Sequence, residues 1–145
     1  HAPQPVCGSG SRVICSPVTA ADEITLARRF YGAHGDRAMI SEVMASDVVW
    51  DITPGFPLGG VYIGLDAVLG EFLRGVGQML ASVSTVPEQF FADGSGHVTV
   101  LGRYLITGRS GRSVDSRFVH IWTIEDAKLA YLKQTADTAL LAELW

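Results

Sequence analysis

Two polar side chains stand in a stretch that otherwise reads as apolar wall. Val114, Ser116, Phe118, His120, Trp122 and Ile124 alternate with Asp115, Arg117, Val119, Ile121 and Thr123, a period of two that specifies a strand. His120 therefore shares a face with Phe118 and Trp122. An imidazole with an ordinary pKa near neutrality is suited to general acid/base work. A core histidine with one satisfied hydrogen bond fits the same pattern. Glu125-Asp126-Ala127 breaks the alternation, and Lys128–Ala136 resumes it and places Gln134 on the following strand. An amide cannot take a proton as a carboxylate does, but it hydrogen-bonds a carbonyl or hydroxyl. Two polar groups converging on an apolar wall specify a ligand pocket.

Arg103 alternates with Leu101 and Leu105, so one reading turns it inward to clamp a carboxylate or oxyanion. The other leaves it at a solvated rim. Trp50, Phe56, Tyr62, Tyr104 and Trp122 are aromatic candidates for pocket or core. Of these, Trp50 and Trp122 are expected to touch the ligand, with Phe118 beside them.

The elements that must position these groups follow from the pattern. Thr19-Ala-Ala-Asp22 has capping-box spacing and opens a helix whose stripe is Ile24, Leu26, Ala27, Phe30 and Tyr31, with Gly35 as its stop. Asp36 caps a second helix carrying Met39, Ile40, Val43 and Met44. Val48–Thr53 is a short strand. Pro54–Gly60 is a loop, and Gly64 and Asp66 open a third helix with Val68, Leu69, Phe72, Leu73, Val76 and Leu80 on its apolar face. Strands follow over Val86–Ala92, ending at the hairpin signal Asp93-Gly94, and over His97–Thr107. Gly102 marks a bend of that strand around helix three. Asp137 is the N-cap of a short last helix. The fold class is α+β: three N-terminal helices on one face of a curved, mainly antiparallel sheet, then a short C-terminal helix, giving a cone with a pocket inside.

The chain has 145 residues, and 48% are apolar. One domain with a proper core is expected. The apolar surplus is assigned to a hydrophobic cavity and a homodimer face. Eleven basic and fifteen acidic residues give a net charge of −4 with no basic stripe, which disfavours nucleic acid. No run approaches the roughly 18 apolar residues of a membrane helix. Cys7 and Cys15 lack metal-site spacing and read as a disulfide or as two incidental thiols. Residues 1–17 are rich in Pro, Gly and Ser and lack a signal-peptide pattern. They are expected to be a flexible N-terminal extension, an added tag or a misassigned start, before a domain over 18–145.

Phe118-Val-His120-Ile-Trp122-Thr, then Asp126-Ala-Lys128, then Gln134-Thr-Ala-Asp137-Thr138 resembles the C-terminal signature of SnoaL-like proteins. These belong to the nuclear-transport-factor-2-like superfamily, with ketosteroid isomerase and limonene epoxide hydrolase as relatives. Gly35-Asp36, Asp47-Val-Val-Trp50, Pro54-Gly55, Pro57-Leu-Gly-Gly60 and Gly64-Leu-Asp-Ala-Val68 are similar to the same family, so the resemblance spans about Thr19 to Trp145. It implies a cone-shaped α+β barrel and a pocket-facing histidine at His120. Gln134 stands where the cyclases and epoxide hydrolases carry a catalytic aspartate. Leu105 stands where the hydrolases pair an aspartate with an arginine near Arg103. The isomerase's base position falls on Ile52, which shares a face with Trp50. Neighbouring Asp51 then points to solvent, unless a bulge near Thr53-Pro54 reverses the parity and makes it a substrate contact. The isomerase's oxyanion-hole tyrosine falls near Arg28 and its protonated aspartate near Phe118, so neither donor is retained.

The resulting expectation is a cytoplasmic homodimer, holding a small apolar molecule and using no cofactor and no metal. His120, Gln134 and Arg103 are its candidate catalytic residues, and Trp50, Ile52, Phe118, Trp122 and Asp51 its candidate substrate contacts. Isomerase, cyclase, dehydratase or hydrolase chemistry on a polyketide-, terpenoid- or steroid-like substrate is one reading. A non-catalytic binder of hydrophobic molecules is the other.

Overall fold

The computed structural model describes residues 19–144. The expectations for Cys7, Cys15 and the N-terminal extension lie outside the described residues. Helix α1 (Ala20–Gly32) opens on a complete capping box: the Thr19 hydroxyl accepts from the Asp22 N–H, and the Asp22 carboxylate accepts from the Thr19 N–H. Its Ala27 and Tyr31 are buried, and so is Glu23, which no apolar stripe predicts. Helix α2 (Arg37–Val43) is capped by the Asp36 side chain and buries Ile40 and Val43.

Strand β1 (Met44–Ile52) starts earlier than the Val48–Thr53 run, directly where α2 ends. A second strand, β2 (Gly60–Ile63), fills the gap between the segments read from sequence as loop (Pro54–Gly60) and helix start (Gly64). Only four residues long, it is defined by its pairing to β1 and not by a pattern of its own. A helical rod over 65–79 follows, made of α3 (Leu65–Ala67), a π-helical stretch (Val68–Leu73) and α4 (Arg74–Met79). Val68, Leu69, Phe72 and Val76 form its buried face, as their spacing predicts. Leu80 is buried too, but it opens β3 (Leu80–Ala92) and does not close the helix.

β3, β4 (His97–Gly108), β5 (Ser113–Glu125) and β6 (Lys128–Ala136) form an antiparallel meander. β1 joins it by parallel pairing to β6, so the six strands run in the order β2-β1-β6-β5-β4-β3. The sheet is open, with β2 and β3 at its edges, and is not a closed barrel. Helix α1 and the rod cover one face, and the core lies between them and the sheet. Helix α5 (Thr138–Leu141) and a 3₁₀ turn (Ala142–Leu144) end the described chain and bury Leu141 and Leu144. Asp137 occupies the N-cap position of α5, yet its side chain makes no capping bond. Its backbone is used instead: its N–H donates to the Arg117 carbonyl and its carbonyl accepts from the Ser116 hydroxyl.

Two tight places set the sheet's geometry. Glu23 sends both carboxylate oxygens into the β3–β4 turn, accepting from the Gly94 N–H at 2.8 Å and the Gly96 N–H at 2.5 Å. A buried charge is tolerated there because it is hydrogen-bonded on each oxygen. At Gly102 a Cβ would sit 2.5 Å from Phe118 Cζ and closer still to the Val86 carbonyl, so the missing side chain is the space into which Phe118 packs.

Candidate active site

Strand register brings the interior groups together. His120 pairs directly with Gln134 across β5 and β6, and Gln134 with Ile52 across β6 and β1. Residues directly opposite one another on adjacent strands face the same side. His120, Gln134, Trp50, Ile52, Phe118 and Trp122 are accordingly all buried on the helix-covered face. Ring contacts knit them together: Phe118 stacks on His120 at 4.0 Å, and Trp50 meets Trp122 edge-on at 6.0 Å.

The polar atoms form one continuous chain of hydrogen bonds. Trp122 Nε1–H donates to the Tyr31 hydroxyl at 2.9 Å. The Tyr31 hydroxyl is 2.7 Å from His120 Nδ1, and the Tyr104 hydroxyl is 2.6 Å from His120 Nε2. Gln134 Nε2 donates to the Tyr104 hydroxyl at 2.9 Å, while Gln134 Oε1 accepts from the Thr53 N–H at 3.1 Å. That last bond fixes the amide, because only its oxygen can face a backbone N–H.

Burial sets the protonation states. With no charged partner among the described residues, the His120 imidazolium is penalised and its pKa falls from 6.5 to about 3. Burial likewise raises both Tyr31 and Tyr104 above the ordinary phenol value, against the opposing effect of their hydrogen-bond donors. At neutral pH the trio is therefore two phenols and a neutral imidazole. Three protons serve two gaps. Each gap takes one, and both phenol oxygens already accept from fixed donors, Trp122 and Gln134. One phenol thus keeps a hydroxyl proton with no acceptor among the described residues, and shifting the imidazole tautomer decides which phenol it is.

Two sequence candidates lie elsewhere. Arg103 faces the outer side of the sheet, where its Nε meets Glu88 at 3.2 Å and its Nη1 meets Asp115 at 2.5 Å. The inward parity on β4 belongs to Val98, Val100, Gly102, Tyr104 and Ile106. Of the two readings for Arg103 the solvated one holds; alternation with Leu101 and Leu105 suggested the inward one because the outer face is itself half apolar. Asp51 also faces outward, towards the Tyr131 hydroxyl at 3.4 Å and Lys133 Nζ at 3.9 Å. No bulge reverses it: the β1–β6 irregularity lies before Val49. Both ring nitrogens of His120 are engaged, one more than the single hydrogen bond of the core-histidine reading. Sequence reading missed the roles of Tyr31 and Tyr104. The available signal was chemical: a tyrosine on a buried stripe needs a partner for its hydroxyl. Among the described residues no three His, Cys, Asp or Glu side chains cluster as metal ligands.

A SnoaL-like domain model matches residues 27–132. The chain belongs to the SnoaL-like family. An NTF2-like protein of unknown function from Burkholderia pseudomallei is 30% identical, with a TM-score of 0.78 over 85% of this chain and 96% of that one. TerC, crystallised with polyporic acid, is 29% identical, with a TM-score of 0.77 over 85% of this chain and 97% of its own. A candidate SnoaL-like polyketide cyclase from Jannaschia sp. is 16% identical, with a TM-score of 0.73 over 91% and 96% of the two chains, a likeness of fold alone. Comparison with curated proteins gives no match. No helix among the described residues of this SnoaL-like chain is long and apolar enough to cross a membrane.

Proposed function

We propose that this SnoaL-like protein is a cofactor-free enzyme for an apolar cyclic molecule of the polyketide, terpenoid or steroid kind. The supporting observation is the Tyr31–His120–Tyr104 relay with its one unassigned phenol proton. A phenol held neutral by burial donates a strong hydrogen bond to a ligand oxygen. It stabilises negative charge developing there, as an oxyanion hole does. Neutral His120 between the phenols lets the donor site exchange ends by a tautomer shift. Isomerisation, cyclisation, dehydration and hydrolysis all pass through charge on such an oxygen. Gln134, in the place of a carboxylate, holds Tyr104 and leaves the site without a strong base of its own. TerC, at 29% identity, was crystallised with polyporic acid, which supports a small-molecule ligand here.

One observation favours a second reading, a non-catalytic hydrophobic-ligand binder: among the described residues the interior polar atoms largely satisfy one another, and no carboxylate joins them. Both readings take the protein as a homodimer through the outer sheet face.

A panel of cyclic ketones and hydroxylated aromatic polyketides, assayed with parent protein, Tyr31→Phe and Tyr104→Phe, separates these cases. Catalysis by the relay predicts losses of roughly 10²-fold or more when the donating phenol is removed. Turnover that survives removal of both phenols overturns the mechanism. Tight binding with no turnover across the panel selects the binder.

A further inference from the structure

Trp50 carries a donor that the described residues leave unused. The residue is 3% exposed, and its Nε1 has no hydrogen-bond partner among the described residues. A buried N–H without an acceptor is costly, and a phenylalanine would offer an aromatic surface without that cost. The contrast with Trp122 is direct. That indole is fully buried 6.0 Å away, and it donates to the Tyr31 hydroxyl. Among the described residues the interior supplies a built-in acceptor for one indole and none for the other.

Phe30 joins the two places. Its ring meets Tyr31 at 5.0 Å, Trp50 at 5.7 Å and Trp122 at 5.0 Å, all edge-on. Trp50, Trp122 and the Tyr31 end of the relay therefore all pack on one ring between α1, β1 and β5. Phe72 meets Trp50 edge-on at 5.9 Å.

We propose that the Trp50 indole N–H is a recognition donor for the ligand, taking a carbonyl or ether oxygen on an otherwise apolar ring system. The inference rests on the pocket reading above and adds a specificity rule to it. An indole N–H only donates, so the ligand atom that meets it must be an acceptor with a free lone pair, such as a carbonyl or ether oxygen. A hydrocarbon of the same shape leaves the N–H unpaired and binds less well. Sites built around a polar group discriminate strongly against analogues that lack its partner.

The test uses two matched probe series on the whole chain: 5α-androstane with androstan-3-one and androstane-3,17-dione, and tetralin with 1-tetralone. Affinities are measured for the parent, Trp50→Phe, Tyr31→Phe and Tyr104→Phe, and the Trp50 indole resonance is followed in ¹H–¹⁵N spectra. At least one ketone is expected to bind about tenfold tighter than its hydrocarbon and to move the Trp50 N–H resonance downfield. Trp50→Phe is expected to erase most of that preference while still binding the hydrocarbon. A preference intact in Trp50→Phe but lost in the phenol variants overturns the Trp50 role and leaves the relay reading standing. An unmoved indole resonance in the parent overturns it as well, whether or not Trp50→Phe folds. Failure of every probe to bind overturns both.

Discussion

His120 is held between two phenols, and burial rather than hydrogen-bond geometry decides its charge. Its pKa of about 3 in the fold lies below the ordinary 6.5. Between those values the unfolded chain binds a proton that the folded chain does not, so stability rises with pH across this window. The contribution is fully present above about pH 6.5 and is lost as the pH falls towards 3. In urea unfolding from pH 4 to 8, the parent is expected to lose about 1.4 kcal/mol per pH unit more than His120→Gln at the acid end, the value of one proton. Glutamine keeps a donor and an acceptor between the phenols but cannot charge. Parallel curves for parent and variant would show that His120 is protonated in the fold.

At the scale of elements, the site depends on β4 and β5 lying close enough for Phe118 to enter the gap at Gly102. A methyl group there would overlap both the Phe118 ring and the Val86 carbonyl. Gly102→Ala is expected to destabilise by about 2–3 kcal/mol, the cost of overpacking a filled interior. Because the backbone carbonyl cannot give way as a side chain can, Phe118→Leu is expected to restore only part of that loss. Thermal melts of the two single variants and the double variant measure this coupling. Full rescue would assign the whole conflict to the ring. Helix α1 is fastened to the same sheet by Glu23 at the β3–β4 turn, so the element that delivers Tyr31 is anchored at its first turn as well as by packing.

Among the described residues of the whole molecule, one face of the sheet is left uncovered. Phe91, Leu105 and Ile121 are exposed on it, with Leu101, Val119 and Thr123 half-buried beside them. Two open grooves, of about 420 and 600 Å³, lie on β3–β5 and include lining residues of this face. An exposed apolar patch of this kind calls for cover. The homodimer proposed above supplies it, with Val119, Ile121 and Thr123 between subunits. Ile121→Lys, 40% exposed in the single chain, is expected to shift the protein from dimer to monomer in sedimentation at micromolar concentration while keeping the fold. A parent that sediments as a monomer removes the proposal.

The sequence by itself determined the family, the helices and the meander. Their signals are local: a capping box at Thr19–Asp22, a 3.6-residue stripe at Val68–Val76 and a two-residue alternation over Phe118–Trp122. It also brought His120 and Gln134 onto one face, because pairing couples the parity of adjacent strands. Tertiary structure alone decided the rest. Val98–Thr107 is apolar on both faces, so alternation could not say whether Arg103 or Tyr104 points inward; packing against Phe56 and Phe118 chose Tyr104. Strand β2 exists only through its partner. Tyr31 and Tyr104 stand 89 and 16 residues from His120, and no spacing rule links groups that meet only when a helix docks on a sheet. The chemistry of the site is a property of that docking: three side chains, ordinary one by one, share a proton between them once water has been excluded.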